Sequence, residues 1–259
     1  MATSNPAFSR NAAFGAPGAL ASSKALSDSD LQTMYDQPSA GSQDTERMTY
    51  EDTIRKTGIA FAVLLMAAAV GWMIPLLGIL GAIAGLVLGL VNTFKKEPSP
   101  GLILAFAGAQ GLFVGGISVY LNTLYEGVVT QAILATLVVV GVTLALFRSG
   151  KIRASKKATK IFTIAIVGYG LFSLINFFLT IAGVGGQFGL RSGTLGVVIG
   201  LFAVVLAAYS LVLDFDFVQK GVNNGAPSKY GWSAAFGIVL TVVWLYVEML
   251  RIFAILRGE

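Results

Sequence analysis

The 259-residue chain contains no cysteine and no histidine. The first absence rules out disulfides and thiolate chemistry, and the second rules out imidazole metal sites and any nucleophile activated by a histidine base. Charge is also scarce, at 12% of residues, against 55% hydrophobic residues. The mean hydropathy is +0.77, outside the balance of a soluble domain. A net charge of +5 would suit a nucleic-acid binder, but the basic residues sit in short loops between apolar runs, where membrane topology explains them better.

The scarce acids are unevenly placed. Seven of the thirteen, Asp28, Asp30, Asp36, Asp44, Glu46, Glu51 and Asp52, precede residue 57. Residues 1–56 are otherwise rich in Ala, Ser and Gly, carry Pro6, Pro17 and Pro38, and have no apolar run of signal-peptide length. They read as a disordered cytoplasmic tail, with a short helix around Ser27–Tyr35 as its one candidate element, ahead of a transmembrane domain over 57–259.

A hydrocarbon core about 30 Å thick takes roughly 20 apolar residues per helix. Such runs fall at about 58–75, 76–94, 101–124, 126–147, 160–182, 194–217 and 232–256, predicting an all-α polytopic protein of about seven spans. Pro75 alone separates the first two runs, so they form a tight hairpin or one of them is re-entrant. With the N-terminus inside, 15 of the 18 lysines and arginines fall on the cytoplasmic side. Only Arg191, Arg251 and Arg257 are left outside, and this places the chain in the cell membrane with a cytoplasmic N-terminus. A re-entrant last span would return the C-terminus inside. Gly81/Gly85/Gly89, Gly111/Gly115 and Gly196/Gly200 recur at four-residue spacing, as close helix packing or a hinge requires.

Each ionisable residue in a span calls for an explanation, since burial in hydrocarbon costs roughly 2.5–3.5 kcal/mol on insertion scales. No lysine falls within a span beyond Lys160 at the very edge of the fifth, which argues against a retinal Schiff base. The candidates are Glu126 at the turn between the third and fourth spans, Asp214 and Asp216 near the inner end of the sixth, and Glu248 with Arg251 in the last. Glu126 and Asp216 also read as solvated, and Asp214 as a solvated helix end or a pathway acid. The i, i+3 spacing of Glu248 and Arg251 suits a neutralised pair or a pathway-lining acid. At 1.5 Å rise per residue, Asp214 falls about 12 Å inward of the midplane and Glu248 about 6 Å outward, too far apart to touch.

Seven spans, a basic loop before the fifth, Asp214-Phe215 at the inner end of the sixth, the ending Leu250-Arg251-Ile252-Phe253 and the stretch YEGVVTQAILAT with Gln131 together resemble the Bax inhibitor-1 family over roughly residues 55–257. The tail lies outside this likeness. The resemblance implies a pH-sensitive calcium leak, gated by two aspartates on the last two long helices that share a proton or hydrogen bond. Asp214 matches the first. The second, counted back from the Leu-Arg motif, falls on Thr241, whose hydroxyl, or a water beside it, would meet Asp214 if the helices are neighbours.

The reading is therefore a cation leak, with Asp214 as a weak, transient calcium site and Glu248 and Arg251 as an outer polar cluster. Carboxylate and carbonyl oxygens are the only strong ligands such a chain offers a hard cation. The alternative is a non-conducting regulator that acts by binding another membrane protein, with the tail as its arm. A proton-coupled transporter would show inverted repeats, and none is evident. An enzyme is not expected, for want of a Ser–His pair, a histidine metal cluster or two midmembrane aspartates. No cofactor is expected, and the bilayer is the expected partner.

Overall fold

The computed structural model describes residues 47–258. They form seven helices, α1 (Tyr50–Met73), α2 (Leu77–Phe94), α3 (Pro100–Leu124), α4 (Val128–Arg148), α5 (Lys156–Ile181), α6 (Gly193–Asn223) and α7 (Tyr230–Gly258). All seven are long and apolar enough to cross a membrane. The surface is inside out for a soluble protein. Leu65, Leu86, Leu137, Ile164 and Val205 are among many large apolar side chains more than half exposed. A continuous apolar surface of this kind is stable only against lipid.

Helix boundaries follow capping chemistry more closely than hydropathy. α1 begins at Tyr50, eight residues before the expected apolar run, because Thr49 Oγ1 accepts from the Asp52 backbone amide at 3.1 Å and Glu51 and Asp52 occupy the first turn. Both features favour a helix N-terminus. The early start brings Lys56 into the first helix ahead of its apolar run, as α5 takes in Lys156, Lys157 and Lys160 at its start and α6 Lys220 near its end. Lys56 is buried, pairs with Asp52, donates to the Ser228 carbonyl at 2.6 Å and lies over the Trp232 ring. Beside it Met48 is buried, and its amide donates to the Ala226 carbonyl at 2.7 Å, so the entry to α1 is fixed to the α6–α7 loop. Residues 1–46, which hold most of the expected tail and the candidate helix Ser27–Tyr35, lie outside the described residues.

α7 is the axis of the bundle. The share of its apolar window buried inside the protein is 67%, against 11% for α5. It packs against α1, α3, α4 and α6, while α2 rests on α3 and α5 on α6. α7 runs unbroken for 29 residues, about 43 Å, so the re-entrant alternative for the last span has no break at which to turn.

The glycine spacings mark backbone contact. A Cβ on Gly111 would stand 2.2 Å from the Leu64 carbonyl oxygen, and one on Gly115 would stand 2.1 Å from that of Ala68. Residues 64 and 68 of α1 thus rise alongside 111 and 115 of α3, so these two helices are parallel. α2 meets the other side of α3 in reverse order, with Gly78 against Gly116 and Gly89 against Phe106. α1 and α2 therefore run in opposite directions as a hairpin around Ile74–Leu76, and neither is re-entrant.

Gly115→Val is expected to abolish the monodisperse, detergent-solubilised protein in size-exclusion chromatography, because the added carbons meet backbone that cannot yield. Gly141→Ala, where a Cβ meets nothing within 4 Å, should elute as the unmodified chain does.

Candidate functional site: two polar layers along the last helix

α6 extends to Asn223, six residues beyond its expected end, and this places Asp214 well inside the helix. Its carboxylate Oδ2 accepts from Thr241 Oγ1 of α7 at 2.8 Å. Thr241 also lies 3.2 Å from Ser210 Oγ, one turn before Asp214 on α6. Having given its single proton to Asp214, Thr241 takes one from Ser210, and the three groups form a directed chain. Gly237, one turn before Thr241, leaves the room: a Cβ there would stand 2.7 Å from Asp214 Oδ1. Among the described residues no lysine or arginine is within ion-pair distance of Asp214. Asp216, two residues on, instead pairs with Lys220 at 2.5 Å on the helix surface.

The second layer lies two turns further along α7. Thr241 and Glu248 are seven residues apart, about 10 Å of rise on one helix face. Glu248 is 3% exposed and pairs with Arg251 as the i, i+3 spacing implies. It also accepts from Arg191 Nη2 at 2.6 Å and from the Tyr169 hydroxyl. Arg251 Nη1 donates to the carbonyls of Arg191 and Gly196, each at 3.3 Å. The Arg191 guanidinium also lies over the Tyr169 ring, 5.2 Å from its centroid. Gly200 completes the fit, since a Cβ there would stand 3.1 Å from Arg251 Nη2. Two guanidiniums thus face one carboxylate, and the layer carries a net positive charge. Nε of both arginines is buried without a partner.

The sequence candidates accordingly divide in three. Asp214 and Thr241 form the inner layer and Glu248 and Arg251 the outer one, with no hydrogen bond or ion pair between the layers. Glu126 joins neither: its side chain is exposed in the α3–α4 turn, where its carbonyl accepts from Arg257 Nη1 at 2.6 Å. Two members were missed. In the sequence Arg191 stands out only as the one loop cation left on the far side, and Tyr169 is one of several aromatics that read as interface anchors or core with no chemistry of their own.

Residues 5–258 match the model of a family described as Bax inhibitor 1 like. The chain belongs to that family. The match begins fifty residues before the expected start near residue 55, so the N-terminal segment is part of the family pattern and not an appendage outside it. No curated protein matches the chain.

For this Bax inhibitor-like protein the outer layer is first of all a structural tie. Glu248→Ala leaves two buried guanidiniums uncompensated and is expected to destabilise the chain by roughly 3–5 kcal/mol. Tyr169→Phe, which removes one donor, should destabilise it by about 1–3 kcal/mol. Denaturant unfolding in detergent, followed by tryptophan fluorescence, measures both. Equal, small effects would mean that the cluster bears no load.

Proposed function

We propose that the chain is a cation leak of the cell membrane, calcium being its principal permeant ion, with its N-terminus cytoplasmic and Asp214 on the pathway. The observation that carries this reading is a carboxylate within α6, turned to α7, with hydroxyl neighbours but no cationic partner among the described residues. An embedded acid without a counter-ion marks an ion or proton route. The polar groups of this layer all present oxygen, as a hard cation requires. One carboxylate and two hydroxyls fall far short of a full calcium shell, and a leak needs a site the ion can leave.

The outer layer takes the opposite part. Glu248 is neutralised by Arg251 and Arg191, and the surplus positive charge repels a cation. It acts as the closed end of the route rather than a second binding step, and conduction requires the α5–α6 loop that carries Arg191 to move. The resemblance to Bax inhibitor-1 proteins supports pH sensitivity. With Thr241 in place of a second aspartate, the control reduces to one acid. Protonating Asp214 removes the charge that attracts the cation and the reason for Thr241 to donate to it. The chain acts by conduction and not as an enzyme.

Purified protein reconstituted in liposomes loaded with a calcium indicator should show calcium entry that varies with pH. Asp214→Asn should lower it about tenfold, the equivalent of ~1.4 kcal/mol of lost ion stabilisation, and flatten the pH profile. Thr241→Val should keep the flux and shift the profile. No flux at any pH, from folded protein, would remove the leak reading and favour a regulator that acts by binding another membrane protein.

A further inference from the structure

α1 and α4 make no more than marginal contact, and the space between them is a cavity of about 440 Å³ that reaches the axis of the bundle. Its mouth is framed by Leu65 of α1 and Leu137 of α4, which are 65% and 62% exposed. They belong to the apolar belt that faces lipid, so the opening is continuous with the bilayer contact. Its depth is formed by buried residues, Leu64 of α1, Ser118 of α3, Thr136 of α4 and Val243 of α7. The lining comes from the C-terminal halves of α1 and α3, the first half of α4 and the middle of α7, so the cavity lies in one half of the membrane.

The polar groups in this wall define the chemistry of the occupant. Ser118 Oγ donates to the Val114 carbonyl at 2.5 Å and lies 2.7 Å from the Tyr246 hydroxyl, which is therefore its donor. Thr136 Oγ1 donates to the Ala132 carbonyl at 2.7 Å. Every hydroxyl proton is already engaged, and no charged side chain lines the space. Apart from the Trp72 indole N–H at the C-terminal end of α1, a polar ligand would find no free donor there, whereas a hydrocarbon chain needs none. The volume falls within the ~300–1,000 Å³ of ligand cavities. Left empty, it would forfeit dispersion contacts along all four helices.

We propose that this cavity is a lateral binding site for one acyl chain of a bilayer phospholipid, which enters between α1 and α4 and ends against α7. The chain seats on Val242 and Val243, the two residues that follow Thr241, so its occupant bears on the turn of α7 that holds Asp214.

The test uses the full chain in phosphatidylcholine vesicles doped with a phosphatidylcholine whose acyl chain carries a photoreactive diazirine, with labelled residues mapped by mass spectrometry. Label is expected on Ser118, Thr136 or Val243, which annular lipid cannot reach, as well as on exposed Phe178 of α5. Thr136→Phe fills the cavity from α4 and should remove the interior label while leaving Phe178 labelled. Ala69→Phe, at the exposed rim on α1, obstructs the mouth, is expected to remove the interior label likewise, and serves if the first variant fails to fold. Label confined to exposed residues in the unmodified chain, or interior label that persists in a folded, filled variant, overturns the proposal. Neither readout depends on calcium flux.

Discussion

A carboxylate buried among helices is a liability unless something answers its charge, and at Glu248 three groups do. Arg251 comes from the same helix, Tyr169 from α5 and Arg191 from the loop that leads into α6. α5 has little else to hold it: it is the least buried helix and touches only α6 extensively. Its other ties are polar too. Thr159 meets the Tyr209 hydroxyl at 3.1 Å, and Asn176 bonds the Phe188 carbonyl and the Leu190 amide of the loop. In hydrocarbon, where apolar contacts between helices gain little over contacts with lipid, such bonds decide which helix sits where. The ionised cluster joins α5, the α5–α6 loop and the far end of α7 at one point, and these bonds secure the rest of α5 and the loop.

The other half of the bundle is held by a different device. α3 lies between α1 and α2 at backbone contact, through Gly111 and Gly115 on one side and Gly116 on the other. No side chain intervenes, so these interfaces tolerate little displacement. α7 crosses between the two regimes, with a glycine-packed group of helices on one side and a polar, adaptable α5 on the other. Its two polar layers have opposite characters. At Asp214 a carboxylate has hydroxyls for company and fits closely over the bare Cα of Gly237, whereas at Glu248 the carboxylate is outnumbered by arginines. The first layer gathers oxygen groups without a cationic side chain among the described residues, and the second sets two guanidiniums around one carboxylate.

Much of this was legible in order and periodicity. Seven apolar runs matched seven helices because length and hydropathy are local properties of the chain. Boundaries moved where a cap overrode hydropathy, as at Thr49, or where a helix ran past its apolar stretch, as α6 does beyond residue 217. The Glu248–Arg251 pair lay within one turn of one helix and so within reach of spacing arguments. The contact of Asp214 with Thr241 depended on α6 and α7 being neighbours, a condition the spacing stated but did not supply. The burial of Lys56 was not legible because, beyond its i, i+4 pairing with Asp52, its partners are the Ser228 carbonyl and Trp232, more than 170 residues away.

The chain by itself determined that this is a membrane protein of seven helices, since the hydrocarbon core sets the length and polarity of whatever crosses it. It also restricted the ion chemistry to oxygen ligands by lacking histidine and cysteine. Only the tertiary structure decided that Glu248 is not an open acid. That outcome rests on Arg191 and Tyr169, 57 and 79 residues away, which reach the same carboxylate through helix packing. Charge balance at a buried site is a property of the groups that meet there, and in this bundle they come from three separate segments.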